Sequence, residues 1–450
     1  MIPNSSSDRD SVAALIERVK AAGIEVIHLQ FADVPGSIKS LTIPAGRLER
    51  TLESGAWFDG SSVEGLARSA ESDLFLRPDP STFAILPWET TPTARLICDI
   101  CLPGGAPFAA DSRQALKRVL GETSDQGFDY RVAVEFEFFV FEDRDGAGKT
   151  GRGLTPVDRT GYFEVQDSRA AGLCREAIDA LGNFGVEVEA SHGEVGPGQH
   201  EIDIAEQGAL AAADAVVALK WALRSLARRG RMLVSFMPKP LEEAPGSGLH
   251  ISQGLVDRHT GADAFCDPGE RYQLSSVGAQ FIAGQLAHAR GMTAILAPLV
   301  NSYKRLTGGS EAPSRVTWAR IHRGALLRVP ESAAGRGTRL ELRAPDPSCN
   351  PYLALAAMLR TGFDGIRNEL PLPASAEEPG EASDIDEGDL ANALPATLGE
   401  ALEELNWDPV VRDALGQSIF EHFLTAKERE WTAFGRHISQ WELTRYLEGA

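Results

Sequence analysis

The chain has 450 residues, of which 43% are hydrophobic and 24% charged, with a formal net charge of −20. That length exceeds what one hydrophobic core usually fills, so two domains are expected, and the acidic balance argues against nonspecific nucleic-acid binding. Neither a long apolar segment nor a basic, apolar leader at Met1 to Arg9 stands out, so a soluble, cytoplasmic protein without membrane association is expected.

Ser11 to Ala22 carries apolar residues at Val12, Leu15, Ile16 and Val19 and reads as a helix. Strand-like Glu25 to Phe31, a Pro35-Gly36 turn and an extended piece before Pro44 follow, then a short helix over Ala45 to Ser54. Strands near Thr82 to Leu86 and Ala94 to Ile100 complete a small α+β unit, which Pro103-Gly104-Gly105 separates from the rest. Next come a helix near Ser112 to Leu120, a strand through Val132 to Phe139 and a Gly-rich, charged loop over Asp143 to Thr160. Helices over Arg169 to Phe184 and Ala209 to Arg229 stop at Gly185 and Gly230. Val186 to Ala190, Glu201 to Ile204 and Leu249 to Ile251 are strand-like, Ser275 to Ala289 is helical, and Leu353 to Arg367 is a helix that Gly362 and Gly365 should break locally. Glu377 to Asp389 reads as an exposed acidic connector, and four helices between Leu398 and Leu447 close the chain.

Within the strand Val132 to Phe139, Glu135 and Glu137 share one face while Val134, Phe136 and Phe138 fill the other. Two carboxylates aimed together from an apolar strand are costly unless a cation meets them, so the strand resembles half of a metal site. Glu194 and Glu201 flank a glycine-rich turn able to fold them toward one cation. His250 adds an imidazole, and Arg339-Leu340-Glu341-Leu342-Arg343 sets Glu341 and two arginines on one face. His192, His200 and His259 are assigned structural or exposed positions, and Cys98-Asp-Ile-Cys101 reads as buried thiols, since no second CxxC accompanies it. Arg305, Arg323, Arg328, Arg339 and Arg343 offer planar forks for phosphate or carboxylate, although ordinary ion pairing would also occupy them. No Walker-type phosphate loop or dinucleotide motif is present.

In their common order, these pieces resemble the glutamine synthetase family, in particular its bacterial and archaeal type I branch. The resemblance runs through Phe58-Asp59-Gly60-Ser61-Ser62, Glu71-Ser72-Asp73, the Glu135/Glu137 strand, Gly161-Tyr162-Phe163, Glu194-Val195 and Pro197 to Asp203. It continues through Gly246 to His250, Asn301 to Arg305, Glu311-Ala312-Pro313, Arg339 to Arg343 and Asn350 to Leu353. It implies an α+β protein with a β-grasp-like domain over residues 1–103 and an ATP-dependent catalytic domain over 104–450, built on a curved antiparallel sheet with flanking helices. It also implies a homo-oligomer, a dodecamer of two stacked hexameric rings with active sites between subunits.

By the same resemblance, two or more Mg²⁺ or Mn²⁺ ions bind per active site, one among Glu137, Glu194 and Glu201 and another among Glu135, His250 and Glu341. Gly246, Arg305 and Arg343 hold glutamate, while Ser252, Arg323 and Arg339 contact ATP. Arg328 stabilises the transferred phosphoryl group, and Asp59, Tyr162, Glu194 and Glu311 attract ammonium, with Asp59 taking its proton and Glu311 closing a flap. The implied reaction joins small-molecule substrates, L-glutamate and ammonia, through γ-glutamyl phosphate, giving glutamine, ADP and phosphate. Four departures bear on the amine: Gly193 where the family often has a second histidine, Pro245 for a frequent asparagine, Ser252 for a histidine and Ser310 for a flap tyrosine. They open an alternative, a γ-glutamyl-amine ligase using a small alkylamine, ethanolamine or a polyamine.

Overall fold

The computed structural model describes residues 6–63, 73–143, 153–159, 161–165, 167–307, 312–331, 337–377 and 392–449. Two sheets organise them. In the first, β1 (Val26–Ala32) lies parallel to β6 (Thr93–Cys101), with Val26 opposite Thr93. β2 (Ile38–Pro44) pairs antiparallel with β1. On the other side β4 (Asp73–Pro78) and β3 (Ala56–Asp59) extend the sheet to the order β2-β1-β6-β4-β3, and two-residue β5 (Ala84–Ile85) pairs with β6. Ile27, Leu29, Leu74, Leu76, Leu96 and Ile100 are buried in its core. β3 and β4 are additions to the sequence reading, and the strand expected over Thr82 to Leu86 shrinks to β5 because Pro80–Thr82 forms a 3₁₀ turn capped by Asp79.

The second sheet follows the order β12-β13-β14-β11-β7-β9-β8, with β10 (Met232–Ser235) also on β7. Its spine is β7 (Phe128–Glu142), flanked antiparallel by β11 (Leu249–Asp257) and β9 (Gln199–Gly208). β8 (Val188–Gly193) forms a hairpin with β9, and β14 (Leu340–Leu342), β13 (Leu327–Arg328) and β12 (Trp318–Ala319) continue beyond β11. Register shifts between Val132 and Val134 and between Val188 and Ala190 bend the sheet. Val134, Phe136 and Phe138 point into the main core. Helices Arg169–Asn183 and Ala209–Arg229 pack together, and the second also packs on β7 and β9 through an alanine-rich buried face.

Helix Pro351–Arg367 runs unbroken, in contrast to the interruption expected at Gly362 and Gly365. Those glycines serve close packing against helix Ser276–Ala287: a Cβ on Gly362 would stand 2.3 Å from Phe281, and one on Gly365 would stand 2.0 Å from the Gln280 carbonyl oxygen. Glu377, read as the start of an exposed connector, accepts hydrogen bonds from the backbone N–H groups of Arg320, Ile321 and His322. The rest of that acidic stretch, 378–389, lies outside the described residues.

Arg113 ties the two sheets together. Its buried guanidinium donates to Asp79 at 2.8 Å and Asp99 at 2.8 Å beside the first sheet, and to Asp214 at 3.0 and 2.8 Å on helix Ala209–Arg229. Asp214 also accepts from the Tyr352 hydroxyl at 2.6 Å. Asn350 Nδ2 bonds the carbonyls of Asp33 and Val34 at 3.1 and 3.2 Å, fixing the same junction elsewhere. The cysteines are free. Cys98 and Cys101, three apart on β6, project to opposite faces and cannot share one ion. Among the described residues, no helix is long and apolar enough to cross a membrane.

Candidate active site

Because β7 turns Glu135 and Glu137 to one face, the register of its neighbours decides what meets them. His250 on β11 and Asp203 on β9 stand opposite Glu135, while Glu201 stands opposite Glu137 and His192 on β8 opposite Glu201. Cross-strand partners have Cβ atoms about 4.5–5.5 Å apart, so these side chains form a compact polar array over an apolar sheet.

Donor atoms of Glu135, His250 and Glu341 lie within 4.8 Å of one another. His250 Nδ1 is 3.0 Å from Glu135 Oε2, and its Nε2 is 3.8 Å from Glu137 Oε1. Arg328 Nη1 at 2.8 Å and Arg343 Nη1 at 2.5 Å hold the two oxygens of Glu341. Burial pushes the Glu135 carboxyl up, but the hydrogen bond and charge of His250, with Arg343 and Arg328, outweigh it and hold the group below its ordinary range.

Glu137 Oε2 accepts from Gln199 Nε2 at 3.0 Å and from the Gly248 N–H at 2.9 Å. It is only 8% exposed, and burial raises its carboxyl pKa. Glu201, 6% exposed, is raised further by burial and by the charge of Glu137. Buried carboxylates that cannot share one face as anions must hold protons or cations, and oxygen-rich donors suit Mg²⁺ or Mn²⁺. Glu194 sits just past β8, its carboxylate 3.6 Å from His192 Nδ1. The second group of mutually close donor atoms among the described residues is His192, Glu201 and Asp203, so Glu201 clusters more tightly with these two than with Glu137 and Glu194. His192, read as structural or exposed, therefore belongs to a group able to hold a cation.

A cavity of about 720 Å³ opens over this array. It is lined by both Glu135 and Glu137, by Glu194, Glu201, His250 and Glu341, and by Tyr162, Gly246, Arg305, Arg323, Arg328 and Arg343. Arg305 is buried and donates to the carbonyls of Ala344, Pro345 and Arg343 at 2.9, 3.2 and 2.9 Å, so much of its fork braces the backbone. Arg343 Nε donates to the Arg323 carbonyl at 2.9 Å. Arg328 Nε is buried without a hydrogen-bond partner. Ser252 and Arg339 are not on the cavity wall; Arg339 Nε lies 4.0 Å from Glu206 Oε2. Asp59, at the end of β3, accepts from Ser61 N at 3.0 Å and Ser61 Oγ at 2.6 Å and does not line the cavity of its own chain. Glu311 and Ser310 lie outside the described residues.

Sequence reasoning missed Gln199, whose amide joins Glu137 to the Gly246 carbonyl at 3.1 Å. Its place two residues before Glu201, on the same strand face, is the signal that could have found it. Lys239, Glu242 and Glu243, which line the mouth, were also missed, since a surface loop carries no periodic pattern.

A cavity of paired carboxylates, a histidine and arginines on a curved sheet, in a chain that also carries a β-grasp-like domain, is the makeup of an ATP-dependent carboxylate–amine ligase, as the family comparisons bear out. The model of the glutamine synthetase catalytic domain matches residues 109–446, and that of the glutamine synthetase beta-Grasp domain matches residues 23–103. The chain belongs to the glutamine synthetase family. It is 42% identical to the glutamine synthetase of Halobacterium salinarum, over 99% of this chain and 98% of that protein. It is 42% identical to that of Thermus thermophilus, over 97% and 98%. A solved structure of apo GmaS superposes with a TM-score of 0.84 at 28% identity, over 96% of this chain and 99% of that one. A GmaS/ADP complex superposes with a TM-score of 0.85 at 27% identity, over the same shares.

Proposed function

We propose that this ligase joins the γ-carboxylate of L-glutamate to a primary alkylamine larger than ammonia. The observation that carries this reading is the mouth of the cavity. Glu242 and Glu243 line it, both exposed, and neither has an ion-pair or hydrogen-bond partner among the described residues. Beside them Pro245 offers no amide side chain, and Gly193, next to Glu194 in sequence, offers no imidazole. The exposed carboxylates of Glu242 and Glu243, which share the mouth with Lys239, favour the approach of an alkylammonium ion, and the small wall at Pro245 leaves room for its carbon chain. The second reading, ammonia and hence glutamine, rests on the glutamine synthetases that are 42% identical to this chain.

Divalent cations, held by Glu135, His250 and Glu341 and by Glu137, Glu194 and Glu201, would supply positive charge for the polyphosphate of ATP. Adenine nucleotide as co-substrate is supported by the solved GmaS/ADP complex. Arg343 and the free donors of Arg305, with Gly246, orient glutamate so that its γ-carboxylate attacks the terminal phosphate, giving γ-glutamyl phosphate and ADP. Arg328, its Nε unengaged, and Arg323 receive charge on the phosphoryl oxygens. Glu194 and Tyr162 draw in the ammonium form of the amine, and a carboxylate, Asp59 of a neighbouring copy, takes its proton so that nitrogen can displace phosphate. Glu311 shields the acyl phosphate from water. A homo-oligomer, with a dodecamer as its form, would bring Asp59 to the site, and helix Gln440–Tyr446 leaves Trp441 64% and Tyr446 50% exposed for such an assembly to cover.

The test is phosphate release and product mass over a panel of ammonium, methylamine, ethanolamine and diamines, with glutamate, ATP and Mg²⁺ or Mn²⁺. Efficient amide formation with an alkylamine and slow glutamine formation is the expected result. Efficient glutamine formation with no amide from any alkylamine overturns it in favour of the second reading.

A further inference from the structure

We infer that Glu377 is a positioning residue for phosphoryl transfer, whose carboxylate sets the turn that carries Arg323 to the active-site cavity. The inference rests on the reading of Arg323 as a group that receives charge on the phosphoryl oxygens. β12 and β13 are two-residue neighbours that run parallel, so residues 320–326 must return from the end of one to the start of the other. Arg323 lies within this connection and lines the cavity. Its guanidinium has no hydrogen-bond or ion-pair partner among the described residues, so its place depends on the backbone beneath it.

Two sets of bonds hold that backbone. Arg343 Nε donates to the Arg323 carbonyl at 2.9 Å, and the Ala325 N–H closes the turn on the His322 carbonyl at 3.2 Å. Glu377 accepts from three successive N–H groups, those of Arg320 at 3.0 Å, His322 at 2.8 Å and Ile321 between them. Ile321 is 76% exposed, so burial of its side chain does little to fix the turn, and the carboxylate is what makes the three N–H groups converge. Glu377 is anchored in turn: the Ala376 N–H donates to the Trp318 carbonyl at 2.9 Å, and Trp318 Nε1 donates to the Pro373 carbonyl at 2.7 Å. Burial nudges the Glu377 carboxyl up, but the N–H groups of Ile321, Arg320 and His322 outweigh it and keep the group an anion at neutral pH. Two effects of removing this carboxylate oppose each other. Loss of a negative charge would favour a polyphosphate, whereas release of the turn would misplace Arg323. The charge is half-exposed and screened by solvent, while a misplacement of about 1 Å can cost about 100-fold, so release of the turn decides the sign.

The experiment is steady-state kinetics of the full-length protein in its native assembly, with ATP varied at saturating glutamate, amine and Mg²⁺. Glu377→Ala, Glu377→Gln, Arg323→Met and the double variant are each checked for native circular dichroism and assembly size. In Glu377→Ala, kcat/KM for ATP should fall about 10- to 100-fold while KM for glutamate stays within about twofold. Glu377→Gln keeps one acceptor oxygen and should fall between Glu377→Ala and wild type. In the Arg323→Met background Glu377→Ala should cost nothing further, because it acts through Arg323. Unchanged or improved kcat/KM for ATP in folded Glu377→Ala, or an equal further loss in the Arg323→Met background, overturns the inference and leaves the role of Arg323 standing. Failure of both Glu377 variants to fold assigns the residue to stability and overturns it as well. Wild-type ATP kinetics in Arg323→Met would instead remove the reading of Arg323, and the inference with it.

Discussion

Gln199→Met removes one side chain and disturbs the site at three points. Gln199 is 1% exposed, and its amide donates to Glu137 Oε2 at 3.0 Å and to the Gly246 carbonyl at 3.1 Å while its oxygen accepts from the Gly196 N–H at 3.1 Å. Methionine keeps the volume and cannot replace these bonds. Two neutral bonds at about 1 kcal/mol each and one to a carboxylate at about 1.5–3 kcal/mol give a destabilisation of about 3.5–5 kcal/mol. Glu137 keeps the Gly248 N–H at 2.9 Å, so its carboxylate swings without leaving the site. Loss of such an orienting partner typically weakens metal affinity about 10- to 100-fold. Titrating Mn²⁺ into the metal-stripped variant, with circular dichroism to verify the fold, measures this directly. The affinity should fall within that range, and KM for glutamate should rise because the Gly246 carbonyl loses its anchor. A folded variant with wild-type Mn²⁺ affinity would refute the view that Gln199 orients Glu137.

Glu137→Ala should abolish turnover while the protein folds and assembles; near-normal activity from the folded variant would contradict a metal role for Glu137. Arg113→Met should cost about 3–5 kcal/mol, since it removes the cation shared by Asp79, Asp99 and Asp214 at the junction and leaves them only their other partners, and a midpoint of chemical unfolding equal to wild type would count against that junction. His288 bridges Asp408 at 2.8 Å and Asp364 at 3.1 Å; burial lowers its pKa, but the two carboxylates outweigh this and raise it. Its contribution to stability is therefore complete below the ordinary histidine pKa of about 6.5 and is lost as pH rises through the raised value, so thermal stability should decline as pH rises above about 6.5 in wild type and decline less in His288→Gln.

Periodicity exposed the long elements. β7 alternates cleanly around Glu135 and Glu137, and helix Ala209–Arg229 is alanine-rich between two glycines. β3 and β4 escaped because four- and six-residue strands beside Gly55, Gly60 and Pro78 carry turn signals as strong as their apolar ones. Gly362 and Gly365 misled because a glycine inside a helix reads as a weak point, whereas its use here, the approach of a second helix, depends on a partner over 70 residues away. The donor groups were legible as residue types, yet their grouping depended on strand register. The pairing of β8 with β9 is what sets His192 and Asp203 around Glu201, and nothing local encodes that pairing.

The row of carboxylates across β7 and β9 also bears on how long the protein survives when divalent ions are scarce. The four acidic groups on adjacent strands cannot all be anions without a cation, and each ion that binds only the folded form adds to its stability by mass action, about 2.7 kcal/mol at a hundredfold excess over Kd. A cell short of Mn²⁺ or Mg²⁺ would hold a larger opened fraction of this enzyme, exposed to proteolysis. Metal supply would thus govern the abundance of the ligase as well as its rate, with the central sheet acting as the sensor.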